Sequence, residues 1–531
     1  MPRQFNTAHR NDPVKHYTLP PLERLPPDIT ELVHDGYYFV LHAPRQSGKT
    51  TSMMALADKL RLDGRYAVVF CTVETARTAK TEAETVACVV TALRMAAAKQ
   101  LPKSNVPPRE EADDVAEPKT RLYAFLSRWS QACTQPLVLL IDEIDCLKDD
   151  GLISVLSQFR AGYAERPKAF PHSVCIFGMR DVRDYKVMSG GSQHLGTSSP
   201  FNVKRESLTV AYFSADDIAA LYGQHTAETG QVFTPAAVAR VWELTHGQPY
   251  LVNALADNVV RKQRWTNTID VPQIDAAKEA LILQWGTHFD SLMARLREDR
   301  VRRVIEPIIA GSVSAFDIED LRFCRDLGLV DFSQPPQIAN PIYREVVARK
   351  LSAAVQAGIP LASHRWRTED GRLDIDKVRQ GLLEFWREHA EGFVKTQDYH
   401  EVAAQLVVMA YLQSAVNGGG QILREFAAGT GRIDILIKWP VADDNGKVDL
   451  YGRWFENHLI ELKVWYEDRA DPTGQALEQV DKYLERVPCA SASVVVFDRR
   501  EATLLRKWRE RIAVREDAPV VQGVAVWVGR V

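Results

Sequence analysis

The chain has 531 residues, 46% of them hydrophobic and 25% charged, and its formal net charge at pH 7 is −3. That composition is typical of a globular protein with well-sized cores, and the length predicts three or four domains. The nearly balanced charge excludes a protein that coats nucleic acid through overall positive charge, so any nucleic-acid contact must come from local patches.

The first predicted elements of chemical interest are a strand, a loop and a helix in succession. Tyr37–His42 is an aromatic and β-branched run typical of a buried strand, and Thr50–Leu62 has apolar residues at helical spacing. The loop between them contains Gly48 and Lys49. In this context the loop N–H groups and the positive helix end surround phosphates, Lys49 reaches the terminal phosphates, and the Thr50 hydroxyl binds Mg²⁺.

The residues predicted to bind the nucleotide are Ala43, Pro44, Arg45, Gln46, Ser47, Gly48, Lys49, Thr50 and Thr51. Ala43 stands where the simplest form of the pattern has its first glycine. This substitution weakens the match, because alanine is costlier than glycine at unusual φ angles.

A second apolar strand, Pro136–Ile141, ends in acidic residues. A carboxylate at the carboxyl end of a parallel strand can hold Mg²⁺, and its neighbour can orient or deprotonate the attacking water. We assign Asp142 to the metal and Glu143 to the water. The alternative interpretation is an ordinary turn at the Gly-Lys-Thr sequence and an acidic helix cap here.

Two further runs, Ala67–Val73 and Ser173–Phe177, complete a predicted doubly wound parallel sheet. Arg180, just after the second run, is a candidate sensor of the γ-phosphate, with a structural ion pair as the alternative. Helices then follow from about Ser214 to Arg261, and they predict a lid over the nucleotide. The sequence at 246–249, His-Gly-Gln-Pro, has the chemistry of a turn between two of these helices.

With these motifs, residues 30–290 resemble the AAA+ ATPases, in particular the prokaryotic AAA-like and STAND-related group, whose loops read much like Ala-Pro-Arg-Gln-Ser-Gly-Lys-Thr-Thr. The resemblance implies ATP binding, hydrolysis with Mg²⁺, and the self-association into homo-oligomers that is common in the family. The matching positions are Lys49, Thr50, Asp142 and Glu143. No arginine finger from a neighbouring subunit can be placed in the sequence.

The C-terminal region is predicted to begin with an amphipathic helix, Asp398–Val416, which carries Glu401 near its start. A strand at Gln421–Phe426 follows. In the next strand, Arg432–Ile437, the isoleucines share one face and Asp434 lies on the other.

After a turn at residues 444–446, the strand His458–Val464 directs Glu461 and Lys463 to one face and their apolar neighbours Ile460, Leu462 and Val464 to the opposite face. A helix, Gly474–Arg486, then presents Gln479 and Tyr483 four residues apart on one face. A strand at Ser493–Phe497 closes the series.

This pattern predicts a second phosphate site. Asp434 and Glu461 are hard oxygen ligands for Mg²⁺, and Lys463 can position the nucleophilic water or stabilise the charge that develops on phosphorus. The alternative is a set of surface ion pairs on a half-exposed sheet.

The order helix, three strands, helix, strand resembles the PD-(D/E)XK nuclease fold over about residues 395–500. The resemblance implies catalytic roles for Asp434, Glu461, Lys463, Gln479 and Tyr483. It also implies Glu401 as an additional metal-site acid, with stabilisation of the helix dipole as the alternative. The consensus proline before the aspartate is absent, and isoleucine stands there instead.

Between the two sites, residues about 296–355 resemble a winged helix, a domain that contacts DNA or acts as a spacer. The predicted fold class is therefore α/β, with a P-loop AAA+ parallel-sheet ATPase, a helical lid, a winged-helix-like middle domain and a C-terminal PD-(D/E)XK fold. The predicted boundaries are an N-terminal extension at 1–29, the ATPase core at 30–210, the lid at 211–290, the winged helix at 291–355, a helical linker at 356–394 and the nuclease-like domain at 395–531.

The seven cysteines show no paired short spacing, and several lie in apolar runs, which is typical of core residues and not of a zinc site. No signal peptide and no apolar stretch of membrane-spanning length is evident, so we expect a cytoplasmic protein without membrane contact.

The two sites together predict an ATP-regulated, Mg²⁺-dependent nuclease whose partner is nucleic acid, DNA in the first instance. The resemblance associates such chains with defence against foreign DNA or with mobile elements. One alternative is a STAND-like signalling switch with a nuclease effector. Another is an ATPase tethered to DNA by an inactive nuclease fold, which predicts salt-sensitive DNA binding without strand scission.

Overall fold

The structure is a computed structural model that describes residues 3–8, 10–108, 117–178, 204–284, 287–309, 316–347, 366–387, 408, 411–412, 416, 420–428, 431–441, 455–465, 467, 470–498, 500, 503 and 508–531. The predicted metal ligand Glu401 and the predicted sensor Arg180 lie outside these residues.

The described strands are β1 Tyr38–His42, β2 Ala67–Thr72, β3 Leu137–Asp142, β4 Ser173–Gly178, β5 Lys204–Thr209, β6 Gln421–Ala428, β7 Gly431–Pro440, β8 Phe455–Trp465, β9 Ser491–Asp498, β10 Ala513–Val514, β11 Val520–Val521 and β12 Val524–Arg530. The described α-helices are α1 Ile29–His34, α2 Lys49–Leu62, α3 Glu82–Gln100, α4 Pro118–Ala132, α5 Asp149–Ala161, α6 Ala215–Thr229, α7 Pro235–Thr245, α8 Pro249–Asp257, α9 Val271–Gln284, α10 Thr287–Arg295, α11 Asp299–Ile309, α12 Ile318–Asp326, α13 Ile375–Phe385 and α14 Thr473–Leu484.

The chain divides into two compact units. The first contains Met1–His288 and Asp317–Pro341, and the second contains Phe289–Phe316 and Ile342–Val531. Residues of the predicted winged-helix region therefore fall in both units. The predicted domain boundaries stay predictions.

The first unit is built on one parallel sheet with the strand order β2-β3-β4-β1-β5. The strand β4 separates β1 from β3, so the loop after β1 and the acidic end of β3 lie at the same sheet edge, two strands apart. Ligands of such sheets bind at the carboxyl ends of the strands. The strand β5 was not predicted, because its first residues, Lys204-Arg205-Glu206-Ser207, are polar and form no apolar run.

Both faces of this sheet are covered, as a doubly wound fold requires. Residues that alternate along β1 separate accordingly: Tyr38 and Val40 pack with buried residues of α3, α4 and α5, whereas Phe39 and Leu41 pack with those of α1 and α2. The strands are buried on both sides, which explains their continuous apolar runs.

The predicted helix start at Ser214 is confirmed as a capping box. The Ser214 hydroxyl accepts a hydrogen bond from the Asp217 N–H at 3.1 Å, and the Asp217 carboxylate accepts one from the Ser214 N–H at 2.8 Å. The predicted turn at 246–249 is also present. Gly247 has φ of +75°, and a Cβ there would collide with the carbonyl oxygen of Phe213, so this position requires glycine.

In the predicted winged-helix region, strand pairing is limited, within the described residues, to an isolated antiparallel bridge between Val330 and Ile338. The turn that joins them uses Asp331 as a side-chain acceptor for the backbone N–H groups of Ser333 and Gln337. Side-chain bonds of this kind compete with strand pairing, which accounts for the shortness of the bridge.

The second unit contains a mixed sheet with the order β10-β12-β9-β8-β7-β6, and β11 pairs with β12. The strands β6, β7 and β8 are antiparallel, and β8, β9 and β12 are parallel. One face packs on α13 through Ile435 and Ile460, and the other packs on α14 through Leu436 and Leu459. The alternation in β7 and β8 is therefore as predicted.

His458 is a buried polar residue of β8 with a consequence for stability. It is 2% exposed, its Nδ1 lies 2.9 Å from the Ser491 hydroxyl, and burial, aided by the charge of Arg379, lowers its pKa to about 4. The unfolded chain binds this proton near pH 6.5, so the unfolding free energy falls as pH drops from about 6.5 towards 4.

We expect His458 to cost the second unit about 2 kcal/mol of unfolding free energy between pH 7 and pH 5. The measurement is urea unfolding followed by tryptophan fluorescence at both pH values. In His458→Gln the loss should shrink by that amount. An unchanged pH dependence in the variant would show that His458 is not neutral in the folded state.

All seven cysteines are described and none forms a disulfide, and Cys71, Cys146, Cys175 and Cys324 are buried. Among the described helices, none is long and apolar enough to cross a membrane.

Candidate functional site

The first candidate site is the loop Ala43–Gly48 between β1 and α2. Its conformation depends on two residues in the left-handed region, Gln46 with φ of +56° and Gly48 with φ of +86°. Ala43 is buried and does not have a positive φ, and its N–H donates to the Gly178 carbonyl at 3.1 Å. The conformational cost expected for alanine at this position is therefore absent.

The loop ends in an open helix terminus. Gly48 is the N-cap of α2 and provides no side-chain cap, so the first N–H groups of the helix lack the usual side-chain acceptor. Partial positive charge at such an end favours an anion, and phosphate is the common one. Pro44, Arg45, Ser47 and Thr51 belong to this loop and first turn, as predicted.

The two predicted Mg²⁺ ligands of this site, Thr50 and Asp142, are 92 residues apart in sequence and in contact in the structure. The Thr50 hydroxyl donates to Asp142 Oδ2 at 2.8 Å, and Lys49 Nζ lies 3.9 Å from Asp142 Oδ1. Asp142 and Lys49 are both buried. Two oxygen ligands on adjacent vertices of an octahedral Mg²⁺ lie about 3 Å apart, so the Thr50–Asp142 pair fits that ion.

Glu143, the predicted water-activating residue, follows Asp142 directly. Its backbone is left-handed, with φ of +60°, and its N–H donates to Asp142 Oδ1 at 2.9 Å. Its carboxylate lies 3.7 Å from Arg77 Nη2, and Arg77 also lies 3.3 Å from Glu74. A left-handed non-glycine residue is strained, and such strain occurs frequently at active sites.

Three residues that sequence reasoning missed also contact the loop. Arg24 Nη2 donates to the Ser47 carbonyl, and its Nε donates to the Ala211 carbonyl at 3.1 Å. Burial lowers the pKa of Arg24 to about 10. A Cβ at Gly48 would meet only the end of the flexible Arg24 side chain, so it is the φ of +86° that favours glycine at this position.

The other two are Gln248 and His288, both of which contact Gln46. No local motif marks any of the three, because their contacts join segments far apart in the sequence. A positive φ at a non-glycine loop residue is the one feature that would have pointed to them, and it is visible only in the structure.

The second candidate site lies on the α14 face of the C-terminal sheet. Asp434 on β7 is one residue beyond the Ile435–Ile460 pair, which places it opposite Glu461 on β8. The Leu462 N–H donates to Asp434 Oδ2 at 2.8 Å, and Lys463 Nζ donates to Glu461 Oε1 at 2.7 Å. Three of the predicted residues therefore meet.

Glu461 is 1% exposed, and its Oε2 is buried without a hydrogen-bond partner among the described residues. Burial and the neighbouring Asp434 carboxylate raise the pKa of Glu461 to about 7, against the opposing effect of Lys463. A buried oxygen without a donor is costly, and a cation would satisfy it.

The two residues predicted on α14, Gln479 and Tyr483, are in different environments. The Gln479 amide oxygen is buried and, within the described parts of the chain, has no hydrogen-bond donor. Tyr483 lies in the hydrophobic core with Val480 and Leu484. Gln479 is thus the α14 residue with an unused oxygen, and Tyr483 contributes to packing.

The carboxylates that the structure brings together at this site are those of Asp434 and Glu461. Across the described residues, no group of three or more His, Cys, Asp and Glu side chains is placed to hold a metal ion. With Asp434 and Glu461 as acids, a cation would take its further oxygen ligands from backbone carbonyls or water, which is usual for Mg²⁺.

No protein-family model and no curated protein matches the chain. Among solved structures, the Walker-type ATPase of Pyrococcus abyssi is 13% identical, covers 65% of this chain and 99% of its own, and has a TM-score of 0.46. RuvB, the Holliday junction branch migration motor of Thermotoga maritima, is 12% identical over 60% of this chain and 91% of its own, with a TM-score of 0.32. Cdc6p from Pyrobaculum aerophilum is 14% identical over 62% and 96%, with a TM-score of 0.34.

Proposed function

We propose that this chain is an ATP-controlled, Mg²⁺-dependent nuclease, in which the Gly48 loop binds and hydrolyses ATP and the Asp434–Glu461–Lys463 site cuts DNA. The observation that carries the first part is the meeting of Lys49 and Thr50 with Asp142 at the end of an uncapped helix. The observation that supports the second is the buried, unsatisfied Glu461 Oε2 beside Asp434.

In the nucleotide site, the positively charged groups contact phosphate and the oxygen ligands serve the metal ion. Loop N–H groups and the α2 terminus hold phosphate oxygens, and Lys49 offsets the charge of the terminal phosphate. Thr50 and Asp142 would hold Mg²⁺, whose chemistry is to neutralise negative charge on phosphate oxygens. Glu143 accepts the proton of the attacking water once its carboxylate is released from Arg77.

In the nuclease site, Asp434 and Glu461 would hold the Mg²⁺, whose chemistry is to polarise a phosphodiester and lower the pKa of a bound water. Lys463 lies beside Glu461 and donates to it, so its ammonium group is held where negative charge increases during the reaction. The strands β7 and β8 keep these groups in place before substrate arrives.

We further propose DNA as the nucleic-acid partner, self-association of the AAA+ type, a cytoplasmic location, and a role in defence against foreign DNA or mobile elements. The location is supported by the seven free thiols. Self-association and the defence role are supported by sequence resemblance alone.

The direct test is incubation of the purified protein with plasmid and linear DNA, with and without Mg²⁺ and ATP. We expect cleavage only with Mg²⁺ and a change of rate with ATP. DNA binding that weakens with salt, without strand scission under any condition, would favour the tethered ATPase with an inactive nuclease fold instead.

For Glu143→Gln we expect ATP affinity to be unchanged and hydrolysis to fall roughly a hundredfold or more, because the amide cannot accept the proton of water. Glu74→Gln is the matched control, since Glu74 also lies beside Arg77 and is more exposed. The measurements are nucleotide binding by a fluorescent ATP analogue and phosphate release. Equal rates in the two variants would remove Glu143 from the reaction.

A signalling switch with slow hydrolysis is the second candidate, favoured by the Arg77–Glu143 ion pair, which engages the proposed base. It predicts that a non-hydrolysable ATP analogue changes the size-exclusion profile. An unchanged monomer in every nucleotide state would exclude it.

A further inference from the structure

Gln46 adopts a backbone conformation that its own side chain disfavours. Its φ is +56°, in the left-handed region where a non-glycine residue is strained. The residue lies in the Ala43–Gly48 loop, which we propose binds the phosphates. Contacts from elsewhere must therefore keep it there.

Two such contacts are present, and both come from outside the sheet. His288 Nδ1–H donates to Gln46 Oε1, and Gln248 Nε2 donates to the Gln46 carbonyl at the longer distance of 3.4 Å. Gln248 is fully buried and also accepts the Leu251 N–H at 2.7 Å, as the N-cap of α8. Gln248 therefore contacts the backbone of Gln46, and His288 contacts its side chain.

The His288 side chain is buried and packed against an aromatic ring. It is 6% exposed, and its ring stacks on Tyr250, with 4.3 Å between ring centroids and 26° between planes. Burial lowers the pKa of His288 to about 4, so the neutral ring makes this hydrogen bond. A buried neutral histidine is satisfied by such a bond and costs energy without it.

His288 lies at the point where the chain passes from the first unit to the second. It is the second residue of α10, and it is also the last residue of the Met1–His288 stretch of the first unit. Phe289, the next residue, begins the second unit. The chain therefore leaves the nucleotide-binding unit directly from the residue that holds the phosphate loop.

We infer that His288 is a positioning residue of the phosphate loop, and that through Gln46 it couples nucleotide binding to the start of α10. This inference rests on the proposed ATP binding and states how that site is regulated. A ligand that requires the left-handed Gln46 conformation favours the His288 hydrogen bond, and by linkage an ordered α10 favours ligand binding by the same factor.

The test uses the full chain and a fluorescent ATP analogue. His288→Phe keeps a ring on Tyr250 but removes the donor, and we expect affinity to fall roughly three- to tenfold, the value of one hydrogen bond. In Gln46→Gly the loop no longer needs the side-chain contact, so adding His288→Phe there should have no further effect. A double-mutant cycle measures this dependence.

His225→Phe is the matched control. His225 is also buried, at 3% exposure, and hydrogen-bonds to Tyr17 and Gln231 in the same unit, but it does not contact the loop. We expect it to leave affinity unchanged. Equal losses in both histidine variants, or an equal effect of His288→Phe with glutamine or glycine at 46, would reduce His288 to a general packing role.

Trypsin cleavage after Arg297, an exposed residue just beyond α10, gives a second readout. Nucleotide should slow this cleavage in the wild type and not in His288→Phe. If the wild type itself binds no nucleotide, the proposed function fails; if it binds nucleotide and His288→Phe behaves identically in both assays, only the coupling fails.

Discussion

Lys49→Ala is expected to reduce ATP hydrolysis roughly a hundred- to a thousandfold, the usual cost of removing one group that stabilises developing charge. The Lys49 side chain is 9% exposed in the first turn of α2, and among the described residues the acid that its Nζ approaches is Asp142, 3.9 Å away. The 3.9 Å between Lys49 Nζ and Asp142 Oδ1 is too great for a strong ion pair. The geometry is that of a lysine placed for a third, negatively charged partner.

The matched control is Lys59→Ala, a change in the same helix at an exposed residue whose one described side-chain hydrogen bond is a 3.4 Å contact with Thr30. We expect hydrolysis and nucleotide affinity to remain at the wild-type level in this variant. The assays are steady-state phosphate release and equilibrium binding of a fluorescent ATP analogue. If Lys49→Ala binds ATP as tightly as Lys59→Ala does, the Gly48 loop is not the nucleotide site.

Glu461→Gln is expected to abolish Mg²⁺-dependent cleavage of DNA, a loss of about a thousandfold or more, because the change removes one of two anionic ligands from the site. The substitution keeps the shape of the side chain, which matters at a residue that is 1% exposed. It also replaces the oxygen that accepts from Lys463 by a neutral group. ATP hydrolysis should continue, since the nucleotide site lies in the other unit.

Glu478→Gln provides the comparison, because Glu478 is an exposed acid on α14, next to Gln479 in sequence. We expect normal cleavage from it and loss of cleavage from Lys463→Ala. Plasmid nicking in a Mg²⁺ titration, with thermal unfolding to confirm folding, is the assay. Continued cleavage by a Glu461→Gln, Lys463→Ala double variant would exclude this site as the nuclease centre.

Local sequence patterns were sufficient to predict the strands, loops and side-chain faces that make up each site. A run of apolar residues followed by Gly48-Lys49-Thr50 predicts a strand, a loop and a helix, since each follows from local periodicity and from which residues tolerate a turn. Alternation along β7 and β8 likewise predicts that Asp434, Glu461 and Lys463 lie away from Ile435 and Ile460, because successive side chains of a strand point to opposite faces.

Which of these elements are neighbours is known only from the fold. The parallel strand order β3-β4-β1 puts the carboxyl ends of β1 and β3 at the same end of the sheet, where Asp142 meets Thr50, and the β7–β8 register places Asp434 opposite Glu461. Local patterns do not contain this information, because strand order and register depend on which helices cover each face of the sheet and how their apolar residues pack.

The residues that hold the phosphate loop from outside also emerged only in three dimensions. Arg24, Gln248 and His288 reach it from segments 23 to more than 200 residues away, through bonds to backbone carbonyls and to the side chain of Gln46. Backbone acceptors are present at every residue and leave no compositional trace. Motifs therefore revealed the groups that face the phosphates, whereas packing alone selected the groups that keep the loop in shape.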